Sequence, residues 1–297
     1  MSEKLKSSLQ VLLSELIDYA GLFPPAQLAM PAAVQNFADY LQSEYAWMLG
    51  RFIVPADLLD DFAQSAKEFW NQSNSKLWRV SVLARENLPE TVRRVETFNQ
   101  NYTGKAVADT IEARADTAAE IKRAVLPARI TTYFEIPLAS QLPEQISALA
   151  TLKSRAKIRT GGVIQDAFPP IDELIKFLRV CIAANVPFKA TAGLHHPLRT
   201  VKPLTYEVGA PTGTMHGFLN LFLSAAFMRQ NLNSPFVHRL MADGDARNFT
   251  FNDDGATWNG NRLDLSQLTL MRERNAISFG SCSFVEPIED LQQLGLL

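Results

Sequence analysis

Short apolar runs recur along the chain, beginning near Leu16, Trp47, Leu77, Ala106, Arg129, Lys157, Val186 and Ile277, and the first seven follow one another at intervals of 23 to 31 residues. That spacing is the length of a strand plus the helix that covers it. The segments between carry the helical period. Ile171, Leu174, Ile175, Leu178, Cys181 and Ile182 recur at three- and four-residue steps behind Phe168-Pro169-Pro170, which predicts an amphipathic helix starting after proline. Leu88, Val92, Val95 and Phe98 repeat the pattern, with Asn87 and Glu90 three apart as in a helix cap. Eight such strands with covering helices predict an α/β fold, a single (β/α)8 TIM barrel over residues 1–297 in preference to an open doubly wound sheet.

The interval between the seventh and eighth strands is longer, at 91 residues. An insertion over about 205–275 is expected there. It holds a helix from Met215 to Gln230, a hairpin in which Phe249-Thr250-Phe251 and Thr257-Trp258 flank Asp253-Asp254-Gly255, and a last helix from Asp264 to Asn275. Loops that follow barrel strands build the active face, so the insertion is expected to act as a lid or specificity element. The aromatic run from Phe218 to Phe227 reads as the buried face of its helix.

Composition narrows the class of partner. The chain has 29 Lys+Arg against 31 Asp+Glu and a formal net charge of −2, which gives no reason to expect nucleic acid or an acidic membrane surface. With 47% hydrophobic and 20% charged residues it has the material for a packed core. Cys181 and Cys282 are too few for a disulfide framework, and no Cys-x-x-Cys spacing marks a thiolate zinc site. The stretch Met1-Ser2-Glu3-Lys4-Leu5-Lys6 lacks an apolar leader, and Gly217 to Met228 is too short to span a bilayer. The expectation is a cytoplasmic protein without membrane or nucleic-acid partners; a homo-oligomer is compatible with all of this.

Alternation along a strand sends neighbouring side chains to opposite faces, and in a barrel one of those faces is the interior. With the apolar set on the helix side, Lys189 and Thr191 point inward on the seventh strand, Lys157 and Arg159 on the sixth, and Thr131, Tyr133 and Glu135 on the fifth. Arg51 and Arg79 follow by the same rule. The expected inward set has more cations than anions, with Glu135 and Glu112 or Asp109 as partners. Unpaired buried charge is costly, so an anionic ligand, phosphate or carboxylate, is the natural completion. The competing interpretation is a set of interior ion pairs that only hold the barrel together. A lysine beside other cations can lose its proton more readily, which makes Lys157, next to Lys189 and Arg159, a candidate imine-forming nucleophile.

Lys157-x-x-Thr160-Gly161 and Lys189-Ala190-Thr191-x-Gly193 resemble the paired lysine motifs of the class I deoxyribose-phosphate aldolases. Ile17-Asp18-Tyr19-Ala20 and the following Leu22 to Ala26 are similar to that family's first-strand segment, and Phe279-Gly280-Ser281-Cys282-Ser283 to its last-strand phosphate loop. Glu135 falls at a comparable point of the fifth strand. The matches form islands within residues 16–193 and 277–284. The resemblance implies a barrel lyase without a cofactor, in which Lys157 forms the imine and Lys189 depresses its pKa. It further implies that an acid on the fourth strand, Asp109 or Glu112, moves protons, with Asp18 and Glu135 nearby. Arg51, Arg79, Arg159, Thr160, Gly161, Gly162, Thr191, Gly193, His195, His196, Gly280, Ser281, Cys282 and Ser283 would then hold substrate or phosphate. The long insertion and Leu194-His195-His196-Pro197 depart from the family pattern.

All four histidines lie between the last two strands, and the adjacent His195 and His196 are expected to point apart as loop or substrate-contact residues. No metal site is expected; the sharpest alternative would combine His195 or His196 with His216 and Glu135. Cys282 reads as a small apolar filler. Asp253-Asp254-Gly255 reads as a turn, and Asp243-Gly244-Asp245 lacks the remaining ligands of a calcium loop. The expected function is an aldolase-type lyase acting on a small phosphorylated or carboxylated carbonyl compound. The alternatives are an imine-free isomerase or lyase using Glu135 and a lysine, and a non-catalytic anion-binding barrel.

Overall fold

The computed structural model describes residues 5–72, 76–85, 87–127 and 129–297. Residues 1–4, part of the stretch read for a leader, lie outside the described residues. Strands β1 (Ile17–Tyr19), β2 (Leu49–Pro55), β3 (Trp78–Leu83), β4 (Ala106–Arg114), β5 (Thr131–Glu135), β6 (Arg155–Arg159) and β7 (Phe188–Thr191) lie side by side in parallel. After them come β8 (Thr200–Pro203), β9 (Thr212–Met215), β10 (Phe249–Asn252), β11 (Gly255–Trp258) and β12 (Asn261–Asp264), which form two small separate sheets. The last strand, β13 (Ala276–Ser281), pairs in parallel with both β7 and β1 and closes the barrel. All eight barrel strands start within two residues of the expected positions.

Helices α2 (Met30–Gln42), α3 (Leu59–Trp70), α4 (Leu88–Asn101), α5 (Ala118–Arg123), α6 (Leu142–Thr151) and α7 (Ile171–Ala183) connect successive strands. Helix α1 (Ser7–Leu13) precedes β1, and α11 (Val285–Gln293) follows β13. Phe52, Val80, Phe134, Ile158, Phe188 and Phe279 are buried against this helical ring. Each large apolar side chain so covered contributes roughly 1.5–3 kcal/mol. Local signals agree with the ring. Asn87 Oδ1 accepts the Glu90 N–H at 3.0 Å to cap α4, and α7 begins directly after Pro170. The chain is thus a (β/α)8 barrel of the TIM type. Among the described residues no helix is long and apolar enough to cross a membrane.

The insertion holds the expected helix, hairpin and last helix, with shifted bounds. Helix α8 (Phe218–Arg229) starts three residues later than Met215, which belongs to β9, and is buried along Phe218 to Met228. It packs beside α7 and α10 (Leu265–Arg274), with Phe218 stacked on Phe279 of β13, so it completes the helical ring. Helix α9 (Ser234–Ala242) covers its outer side. The hairpin β10–β11 turns at Asp253-Asp254 as expected, gains β12 as a third strand, and packs on α1, where Ser7 donates to Asp253. Asp264 is the cap of α10. Since α1 leads into the N-terminal end of β1, the hairpin lies away from the active face. Only the β8–β9 arm reaches it, through Pro203, Leu204, Thr205, Tyr206 and Met215.

Candidate active site

Two layers of charge fill the barrel. The lower one is near the strand N-termini, where Arg51 and Arg79 both grip Asp109, Arg51 Nη2 at 3.0 Å and Arg79 Nε at 3.1 Å, and Arg79 also pairs with Glu15. Burial alone would raise the Asp109 carboxyl, but its two arginine partners hold it below the usual carboxylate range. None of these side chains lines the cavity above.

The upper layer is built on the lysines. Lys157 and Lys189 are direct partners in the β6–β7 register, so both enter the interior. Lys189 is 1% exposed and donates at 2.6 Å to Asp18 Oδ2 and at 2.6 Å to Glu112 Oε1. Ser278 and Ser81 hydroxyls donate to the same two carboxylates at 2.8 and 2.6 Å. Gly50 makes room for Asp18, because a Cβ there would lie 2.3 Å from Oδ1. Lys157 Nζ stands 2.8 Å from Glu112 Oε2 and 2.9 Å from Glu135 Oε2.

Burial pushes against the charged forms of Glu112, Glu135 and Lys189, yet their partners win. The ammonium groups of Lys157 and Lys189 keep Glu112 well below the usual carboxylate range and Glu135, beside Lys157 and Arg159, is lowered too. Asp18 and Glu112 raise Lys189 above its ordinary value.

This arrangement corrects the charge count read from alternation. Arg51, Arg79, Lys157 and Lys189 each meet a carboxylate, so none of the four is an unpaired inward cation. Glu112 stands between the two ammonium groups, and Lys189 is no bare cation beside Lys157. The physical reason is a bulge in β4. Val80 pairs with Ala108 but Ser81 with Thr110, leaving Asp109 as an extra residue. Asp109 and Glu112, three positions apart, therefore both face inward, and Asp109 belongs to the arginines rather than the lysines.

Above Lys157 opens a cavity of about 250 Å³ at the strand C-termini, lined by Ile53, Leu83, Glu112, Glu135, Lys157, Arg159, Gly162, Thr191, His195, Gly280 and Cys282 among others. This is the face on which barrel enzymes build their sites. Arg159, at the mouth, has its Nε 3.4 Å from Glu135. Other expected substrate residues have different jobs. Thr160 is fully buried and donates its hydroxyl to the Ala192 carbonyl at 2.6 Å. A Cβ on Gly161 would meet the Phe168 ring at 2.4 Å, and one on Gly193, whose φ is +72°, would meet it at 2.7 Å. Both glycines accommodate Phe168.

His195 and His196 do not point apart. Ala192 and Gly193 take left-handed backbone angles after β7, so strand alternation no longer applies. Both imidazoles face α11, with His195 Nδ1 3.0 Å from Glu286 Oε2 and His196 Nδ1 paired with Asp290. Tyr206 donates to Glu286 at 3.3 Å, and its hydroxyl lies 3.6 Å from Cys282 Sγ. Burial raises the Cys282 thiol. Ser281 Oγ accepts the Ser283 N–H, and Ser283 Oγ accepts the Glu286 N–H. His216 is held by the Pro169 carbonyl at 2.9 Å, apart from Glu135. Among the described residues no group of three or more His, Cys, Asp or Glu side chains has metal-binding geometry.

Sequence reasoning missed Ser81, Ser278, Glu286 and Phe168. The two serines could have been found by extending the alternation rule from Arg79 and Gly280. In comparisons with known proteins, no family model matches this chain and no curated protein aligns with it significantly. What fold and site define together is a (β/α)8 barrel with a lysine–carboxylate cluster beneath a cavity on its C-terminal face.

Proposed function

We propose that this barrel is an aldolase-type lyase that makes or breaks a carbon–carbon bond in a small carbonyl compound through an imine on Lys157. The observation that carries the reading is the position of Lys157 Nζ, buried at the cavity floor between Glu112 and Glu135. The cavity has the volume of roughly eight waters at about 30 Å³ each, which suits a substrate of a few carbons. A carboxylate on that substrate would meet Arg159 at the mouth.

Glu135 takes a proton from the Lys157 ammonium, and the freed amine adds to the carbonyl carbon. The carbinolamine hydroxyl leaves as water with the returned proton, giving an iminium ion on Lys157. Cleavage of the bond between the α and β carbons leaves its electron pair in the enamine, while the β-hydroxyl proton passes to Glu135. Protonation of the enamine and hydrolysis release the second product and restore Lys157. Glu112, anchored by Lys189 and Ser81, keeps its charge and stabilises the iminium. Hydride trapping with candidate carbonyl compounds, followed by peptide mass mapping, tests this directly. The expected result is one reduced adduct, on Lys157; turnover without any adduct there rejects the imine.

One observation favours a second reading. Lys157 is paired with two carboxylates, an arrangement that also suits a lysine remaining charged to polarise a carbonyl while Glu135 abstracts an α-proton. Isomerase or lyase activity surviving Lys157→Met with no more than a modest loss would select it.

A further inference from the structure

Gly280 to Ser283 and the glycines after β6 and β7 are where an aldolase-like barrel would be expected to cradle a phosphate. Here that end of the site is already filled. The N–H groups of Ser283 and Glu286 donate to the side chains of Ser281 and Ser283. The space beside Gly161 and Gly193 is taken by Phe168. The adjoining cavity is lined by a carboxylate, Glu286, together with His195, His196 and Tyr206, and Asp290 lies one turn further along α11. Negative charge at this position repels a dianion instead of holding it.

What remains is a hydrogen-bonding surface. Glu286 accepts at His195 Nδ1, which places the imidazole proton there and leaves Nε2 free to accept. Tyr206, brought in by the β8–β9 arm, closes the end and gives its own hydroxyl hydrogen to Glu286. The main cavity and this extension share Pro24, Gly162, Val163, Ala192 and His195, so they are continuous.

We infer that the Glu286–His195–Tyr206 end of the cavity, an extension of about 30 Å³, is a subsite for one uncharged hydroxyl group of the substrate's carbon chain, and that the carbonyl substrate carries no phosphate there. The inference rests on the Lys157 reading for the word substrate, but the subsite chemistry stands on its own contacts. The hydroxyl group donates to His195 Nε2 or Glu286, and discrimination against phosphate comes from repulsion by the Glu286 carboxylate and from the small size of the extension.

The test uses two probes that differ by one phosphate, glyceraldehyde and glyceraldehyde 3-phosphate, with the hydride-trapped Lys157 adduct followed against aldehyde concentration. Half-maximal trapping is expected at a concentration at least tenfold lower for the unphosphorylated aldehyde. Glu286→Gln keeps the size of the side chain but removes its charge, and should bring the ratio to within about threefold. Tighter capture of the phosphorylated aldehyde by the unaltered protein, or an unchanged ratio in a folded Glu286→Gln variant, overturns the subsite. A second measurement does not depend on the imine: thermal stability with millimolar glycerol 3-phosphate. No rise in Tm is expected, and a rise that is lost in His195→Gln overturns the inference. Absence of any Lys157 adduct therefore rejects the lyase reading alone and leaves the Tm result to judge the subsite.

Discussion

The two charged layers of the barrel have almost the same composition and opposite uses. Below, Arg51 and Arg79 enclose Asp109, and the cluster is sealed from the cavity by the layer above. Above, Lys157 and Lys189 share Glu112, but Lys157 keeps one side open to a cavity of about 250 Å³. An ion pair between saturated partners fixes geometry, and its net contribution to stability is small after desolvation. A similar pair with one face uncovered offers a nucleophile and a proton acceptor to whatever enters. The difference lies in which face is open: the arginine layer, with side chains 15–33% exposed, meets only solvent, while Lys157, 6% exposed, meets the cavity.

The largest effect should come from the open layer. Lys157→Met should reduce any lyase activity by at least about a thousandfold, because the covalent route is lost and not merely slowed. Circular dichroism should remain close to that of the unaltered protein, while Tm should fall, because Glu112 keeps only Lys189 and Ser81 and Glu135 only Arg159 as partners. Glu112→Leu is the converse. It strands Lys189 and Lys157 beside an apolar side chain, and breaking a buried pair in this way costs about 3–5 kcal/mol. Urea denaturation read by tryptophan fluorescence measures that loss, and a loss under 1 kcal/mol would mean that the cluster tolerates unpaired ammonium groups.

Much of this contrast was legible along the chain, and the part that was not has identifiable causes. The βα spacing located all eight barrel strands, and alternation put Lys157, Lys189, Glu135 and Arg159 on the inner face. Alternation assumes an unbroken strand. The bulge at Asp109 in β4 adds one residue, so the choice between Asp109 and Glu112 had no answer from period two: both face inward, in different layers. The left-handed angles at Ala192 and Gly193 likewise redirect His195 and His196 towards α11. Glu286 stands 91 positions from His195 and is brought to it by the closing strand, a contact that no local pattern reports. The β8–β9 arm escaped notice because its strands are four residues each, one of them ending in proline, with little apolar alternation.

Acid should separate the folded state from its ion pairs. Asp109, Glu112, Glu135 and Glu286 all titrate below their ordinary values in the folded protein, because their cationic and hydrogen-bonding partners outweigh burial. The unfolded chain then binds more protons around pH 4, so stability must rise with pH there. These contributions are fully present above the unfolded values of about 4.3 and are lost as the pH falls through the lower folded ones. Lys189 has the opposite sign: its raised value contributes fully below about pH 10.4 and is lost as the pH climbs through the folded value. Denaturation midpoints measured across pH should therefore form a plateau between about pH 6.5 and pH 8.5, bounded below by His216, whose charged form burial disfavours, and above by the buried Cys181 and Cys282 thiols. A midpoint that climbs as the pH is lowered from 6 to 4 would contradict the pairing in both layers.

The smallest effect isolates the sealed layer. Asp109→Asn keeps one acceptor oxygen for Arg51 or Arg79 but removes the charge that both guanidinium groups share. The site is partly open, with Arg79 also paired to Glu15, so the cost should be roughly 1.5–3 kcal/mol, the range of hydrogen bonds to charged groups. Activity should stay within about threefold of the unaltered protein, since Asp109 touches neither lysine and does not border the cavity. The fourth strand carries two inward acids, and this substitution discriminates between them. If Asp109→Asn lowered kcat a hundredfold while leaving the denaturation midpoint in place, the acid that moves protons would be in the arginine layer, and the division of labour between the two layers would have to be reversed.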